Sequence, residues 1–144
     1  MKSVRKSMLV PHSVQRMYAL VDRIEDYPQF LPWCGGAKTS ERTPDSLVAE
    51  ITIDYHGLRQ NFVTRNTTVP PERIDMHFVS GPFRKLEGHW HFIPVGDLGC
   101  RIEFALDYEF ASTILEALVG PIFDSIANTF VDAFVRRAET TDPS

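Results

Sequence analysis

CRIEFALDYEF, residues 100–110, alternates almost without a break. Cys100, Ile102, Phe104, Leu106, Tyr108 and Phe110 fall on one side, and Arg101, Glu103, Asp107 and Glu109 on the other. Successive side chains of a β-strand point to opposite faces, so this pattern predicts a strand with one dry face and one wet face. An antiparallel sheet packed on one side reads this way, whereas a parallel sheet buried on both faces does not.

The same period extends upstream from about Lys38. In SLVAEITIDY, residues 46–55, Leu47, Ala49, Ile51, Ile53 and Tyr55 alternate with Val48, Glu50, Thr52 and Asp54. His56-Gly57 suits a hairpin turn before LRQNFVTRNTTV, residues 58–69. That segment is ambiguous in phase, although Gln60 and Thr64 could share the inward face of Phe62. Pro70-Pro71 and Gly81-Pro82 bracket RIDMHFV, where Ile74, Met76 and Phe78 oppose Asp75 and His77. In FRKLEGHWHFIPV, residues 83–95, Leu86, Gly88, Trp90 and Phe92 are set against Lys85, Glu87, His89 and His91.

Outside this meander the period changes. Residues 2–10 read as a strand, and PHSVQRMYALVDRI, residues 11–24, as a helix with Ser13 as N-cap. Its apolar stripe is Val14, Met17, Tyr18, Val21 and Ile24. Pro28 and Pro32 then leave room for a short helical turn around Pro28–Leu31. From Ser112 to about Ala138 the apolar residues return at helical spacing over a wide face. Gly120-Pro121 is expected to kink or split that helix.

These elements specify an α+β helix-grip architecture: a curved antiparallel sheet wrapped around a long C-terminal helix. The chain of 144 residues fits one domain, 1–144, with its core at about 3–138. Curved sheets gripping a helix often enclose an apolar cavity. Here the concave face offers Ile53, Phe62, Met76 and Phe78, then Trp90 and Phe92, then Phe104, Leu106 and Phe110. Leu118, Ile122 and Ile126 form the expected roof. Periodicity alone does not distinguish a hollow interior from a packed one.

A formal charge of −4 opposes phosphate and argues against a DNA-binding protein. Cys34 and Cys100 form no CxxC pattern, and two isolated thiols fit a reducing compartment. The N-terminal segment has no apolar run resembling a secretory signal. Glu116, Asp124, Asn128 and Asp132 interrupt the apolar C-terminal segment and read against a membrane span. A cytoplasmic protein is expected.

Few residues invite a catalytic reading. Cys34 has no base in its local sequence and reads as a buried thiol beside Trp33. His89-x-His91 puts two imidazoles on one strand face with no third ligand at useful spacing, so no metal site is assigned. The charged residues of 100–110 point outward, away from any cavity where acid–base work would occur. Arg84-Lys85 and Arg136-Arg137, with Lys2 or Arg5, would contact an anionic surface only if they met in space.

Three segments carry a family resemblance: MYALVDRIEDYPQFLPWCGGAK (17–38), GPFRKLEGHWHF (81–92) and CRIEFALDYEF (100–110). Together they resemble the coenzyme Q-binding START-domain family, over about Lys6 to Ala138. The resemblance implies a helix-grip START fold, no catalysis and no required cofactor. It also implies a bound lipid, ubiquinone or another isoprenoid or acyl lipid, held for respiratory electron transport, with peripheral contact to the inner membrane. The bacterial branch includes ribosome-association toxins, which bind the large ribosomal subunit and block subunit joining, and proteins loosely termed polyketide cyclase/dehydrase. Tyr27, Pro28, Phe30, Leu31, Pro32, Trp33 and Cys34 match the family motif without a gap. This proline-pinned loop, facing the terminal helix, is the expected gate. Gly120-Pro121 departs from the continuous helix usual in the family.

Overall fold

The structure, a computed structural model, describes residues 1–97 and 99–141. Leu98 and residues 142–144, which the expected domain includes, lie outside the described residues. The element order is β1 (Lys2–Val10), α1 (Val14–Asp22), a 3-10 helix (Ile24–Gln29), β2 (Cys34–Ser40), β3 (Ser46–Tyr55), β4 (Leu58–Val69), β5 (Arg73–Ser80), β6 (Phe83–Val95), β7 (Gly99–Phe110) and α2 (Thr113–Thr140). All seven strands form one antiparallel sheet in the order β1-β7-β6-β5-β4-β3-β2. Strands β1 and β2 are its two edges, so α1 and the 3-10 helix carry the chain from one edge to the other. Irregularities at Cys34/Gly36, Val63/Thr64 and Phe83/Lys85 bend the ladder, as bulges do. The architecture is the helix grip read from the sequence.

Local chemistry explains the boundaries. The Ser13 hydroxyl accepts from the Arg16 amide and the Ser112 hydroxyl from the Leu115 amide, each at 3.1 Å, starting α1 and α2. His56 and Gly57 both have positive φ, 51° and 82°, the signature of a tight hairpin turn matched to strand twist. On β7 the six inward residues are each at most 7% exposed, and Arg101 faces solvent.

Three expectations need correction. The 3-10 helix begins at Ile24, directly after α1, and already contains Pro28. Tyr27 holds it there, its hydroxyl donating to the Val21 carbonyl at 2.5 Å and its ring meeting Phe134 edge-on at 5.2 Å. The Phe30 and Leu31 amides then both donate to the Tyr27 carbonyl, carrying the turn on to the expected position. Second, Gly120-Pro121 does not divide the terminal helix, for Thr113–Thr140 is one element. Val119 and Phe123 are buried on either side, while the Pro121 ring faces solvent, so packing outweighs the missing donor. Third, Tyr55 leaves the dry stripe of β3 and is 41% exposed, because the hairpin tip projects past the core.

By length and composition α2 could also cross a membrane. In this fold Val119, Phe123, Ala127, Val131, Phe134 and Ala138 bury one of its faces, and the opposite face is exposed.

Candidate functional site

Two neighbouring spaces lie between the sheet, α2 and the 30–33 loop. The inner one is a cavity of about 60 Å³ whose walls are almost wholly apolar. The sheet contributes Ile51, Phe62, Met76, Leu86, Phe104 and Leu106, and α2 contributes Phe123, Ile126, Ala127 and Phe130. The outer space is a cleft of about 460 Å³ between Phe30, Leu31, Pro32 and Trp33 on one bank and α2 from Ile122 to Thr140 on the other. Trp33, Ile126 and Phe130 border both spaces. They are the partition between cleft and cavity, with the Trp33 and Phe130 rings 6.2 Å apart.

Of the expected cavity residues, Phe62, Met76, Phe104, Leu106 and Ile126 meet around the inner space. Ile53 is fully buried but does not border it. Trp90 and Phe92 are solid wall, stacked on each other at 6.0 Å, with Phe134 against Trp90 at 5.3 Å. Phe78 and Phe110 pack on Phe83 at 6.1 and 5.1 Å. Ile122 borders the outer cleft. Leu118 is no roof: it is 61% exposed, because it points away from the sheet with Ile114 while Val119 beside it is fully buried. Much of the concave face is therefore filled by aromatic rings.

The loop residues occupy both levels. Tyr27 borders the inner cavity, Pro28 sits in the 3-10 helix, and Phe30 to Trp33 line the cleft. Arg137 lies over the Phe30 ring at 5.0 Å and donates to the Gln29 side-chain oxygen at 2.8 Å, strapping the loop to α2. Cys34 is buried, and burial pushes its thiol pKa up, the opposite of what a nucleophile needs.

The basic pairs do not meet. Arg84 faces Glu109 at 3.6 Å, and its neighbour Phe83 packs on Phe123. Arg136 lies about 20 Å further along α2, given a rise of 1.5 Å per residue. Lys85 stays with Arg84, Lys2 is paired with Asp124 at 2.7 Å, and Arg5 with Asp107 at 2.9 Å. Arg136 and Arg137 instead border the cleft. Arg137 also borders a second groove of about 460 Å³ with Arg16 and Arg23.

The sequence reading missed Asn66 among the polar residues of the cavity. Thr64 and Asn66, each 4% exposed, face inward from β4 in step with Phe62. The inward position of Thr64 was one phase of an ambiguous segment, and the signal that resolves it is alternation counted from Phe62. Tyr27 is the one ionisable group in the lining, and burial raises its pKa well above the usual phenol value. Among the described residues the lining has no carboxylate, imidazole or ammonium group, so they offer little for acid–base chemistry. Among the described residues, no three His, Cys, Asp or Glu side chains gather as a metal site.

Residues 10–135 match the family described as polyketide cyclase/dehydrase and lipid transport. The chain is 40% identical over 139 residues to the ribosome association toxin RatA of Escherichia coli (strain K12), covering 96% of this chain and 88% of that protein. It is 25% identical over 140 residues to the mitochondrial coenzyme Q-binding protein coq10 of Schizosaccharomyces pombe, covering 94% and 85%. A solution structure of an 18 kDa protein from Caulobacter crescentus superposes with a TM-score of 0.75 at 29% identity, covering 96% of this chain and 97% of that one.

Proposed function

The chain belongs to the polyketide cyclase/dehydrase and lipid transport family, and on that footing we propose that it is a non-catalytic lipid-binding protein. Its ligand is ubiquinone or a similar isoprenoid or acyl lipid, which it holds in the cytoplasm or at the inner membrane surface in support of respiratory electron transport. The observation that carries this reading is the shared partition. Trp33, Ile126 and Phe130 stand between the outer cleft and the inner apolar cavity and border both. Rotating those side chains joins the two into a space within the range of ligand pockets, about 300–1,000 Å³. Each methylene buried there stabilises the complex by about 0.8 kcal/mol. The lining offers no acid–base pair, which supports binding over cyclisation or dehydration.

Organic extraction of the protein purified from its native host, followed by mass spectrometry, tests this reading. A lipid or quinone at near-stoichiometric level is expected. Its repeated absence, together with no uptake of a short-chain quinone by the purified protein, would overturn it.

A second reading is favoured by the 40% identity to a ribosome association toxin across nearly the whole chain. In it the protein binds the large ribosomal subunit and hinders subunit joining. Arg23 and Arg137 at the second groove, together with Arg136 beside them, offer phosphate contacts that the chain's net charge does not. Cosedimentation with large subunits on sucrose gradients, falling steeply as salt rises, is the expected result. No comigration at low salt would dismiss this reading.

A further inference from the structure

The inward face of β4 is unlike the rest of the interior. Where neighbouring strands present Ile, Leu, Met and Phe, it presents Thr64, Asn66 and Thr68 in succession, all buried. Polar groups in an apolar core are costly unless hydrogen-bonded, so each should have a partner. Thr68 is engaged by the Tyr18 side chain. The Thr64 hydroxyl donates to the Asn66 side-chain oxygen at 2.9 Å. That leaves the Asn66 carboxamide nitrogen, which has no hydrogen-bond partner among the described residues and keeps a small accessible area. Asn66 is 96% buried and borders the 60 Å³ cavity. The ladder irregularity at Val63/Thr64 lies beside this pair, where a bulge re-aims side chains.

The geometry points to Asn66 as a buried hydrogen-bond donor for a carbonyl oxygen on the ligand, with Thr64 as the residue that orients it. The ligand class is an apolar ring or chain end bearing a carbonyl, bound head-inward, its tail leaving between Trp33, Ile126 and Phe130 toward the cleft. This rests on the lipid-binding reading and adds the direction of entry and the chemistry recognised. The cavity has room for about four water-sized groups, close to a single unsubstituted ring. Met76, flexible and half-buried on the facing strand, is the wall able to yield to a larger one. Were Asn66 merely structural, an apolar residue of similar shape would serve better, since its free donor costs stability without a ligand.

The test compares two probes of nearly equal shape: a trimethyl-pentyl-1,4-benzoquinone, whose ring has no free position for thiol addition, and the corresponding trimethyl-pentylbenzene. Both are titrated into ¹⁵N-labelled protein and followed by NMR. The quinone is expected to bind about 3- to 10-fold more tightly, the worth of one hydrogen bond, and to move the Asn66 side-chain amide resonance. In Asn66→Leu the preference is lost while the hydrocarbon still binds, and the double variant Thr64→Val/Asn66→Leu melts no lower than the parent. Should Asn66→Leu not fold, Thr64→Val and the Asn66 amide resonance of the parent protein decide the matter. Equal affinities in the parent, an unmoved amide resonance, or a preference that survives Asn66→Leu would overturn the head-inward subsite and leave the lipid-binding reading standing. If neither probe binds the parent protein, both fall.

Discussion

The Tyr108 hydroxyl donates to one oxygen of Asp124 at 2.6 Å, and the Lys2 ammonium holds the other oxygen at 2.7 Å. One carboxylate on α2 thus ties the helix to β7 and to the edge strand β1. Tyr108 itself is 1% exposed, so the contact fixes how the helix sits above the sheet. Tyr108→Phe removes one donor and leaves the ring packing against Phe123 intact. Hydrogen bonds to charged groups contribute about 1.5–3 kcal/mol, and partial exposure of Asp124 lowers that figure. A loss of about 1–2 kcal/mol in denaturant titration is expected, with no change in m-value.

The same contact sets a pH dependence. Burial first, then the neighbouring Asp124, raise the Tyr108 pKa above the ordinary phenol value of 10.0. Burial does the same for Tyr27. A group that binds its proton more tightly when folded adds stability that is fully present below its unfolded pKa. That stability is lost as pH climbs toward the folded value. Stability should therefore fall as pH rises above about 10, the unfolded tyrosine value. Tyr108→Phe should flatten part of that decline. Thermal melts of both proteins between pH 8 and 11 check this, and parallel curves would refute it.

Gly81 is placed where no other residue fits. Its φ is 142°, and a Cβ there would lie 2.7 Å from the Phe62 Cβ. Phe62 borders the cavity and meets Phe83 and Phe123 edge-on, so the strain would reach the site. Gly81→Ala should cost about 2–4 kcal/mol by calorimetry, combining backbone strain with overpacking.

How legible was this in the sequence? The sheet was readable because strands such as β7 are dry on one face and keep strict alternation. The long helix was readable as an element but not in its orientation. Its apolar face is wider than the part that the sheet covers, so Leu118 fits the stripe yet points into solvent while Val119 is buried. The cavity was legible in its strand walls, Phe62, Met76, Phe104 and Leu106. Its size was not legible, because periodicity says which side a ring faces and not whether rings fill the space. Asn66 was missed because polar residues carry no inward signal of their own. The partition of Trp33 and Phe130 joins residues almost a hundred positions apart, which only the tertiary fold brings together.

That partition yields a prediction opposite in sign for stability and binding. Phe130 touches Trp33, Trp90, Phe104 and Phe134 at ring separations of 6.2, 5.6, 5.8 and 5.1 Å. Phe130→Ala removes those contacts and opens the cavity to the cleft. A cost of about 3 kcal/mol is expected from the lost ring and residual void. Affinity for trimethyl-pentylbenzene should nevertheless rise in NMR titration, since the path is already open. Weaker binding would mean that Phe130 is a wall of the ligand site and no gate.

The strap between Arg137 and the loop should act on motion more than on stability. Its guanidinium covers the Phe30 ring and bonds the Gln29 side chain, both partly in water. A cation over a ring at such a site contributes about 0.5–1 kcal/mol. Arg137→Ala should therefore lower global stability by no more than about 1 kcal/mol. Leu31 is 1% exposed and anchors the loop from below, so opening must lift a buried side chain as well as release the strap. Amide exchange at residues 30–33 should quicken severalfold in the variant while exchange in β6 and β7 stays as it was. Exchange that quickens equally everywhere would assign Arg137 to general stability, and unchanged exchange would free the loop from any dependence on it. Arg137→Lys distinguishes the two parts of the strap. Lysine keeps the charge but lacks the planar face that stacks on Phe30, so it should restore only part of the protection.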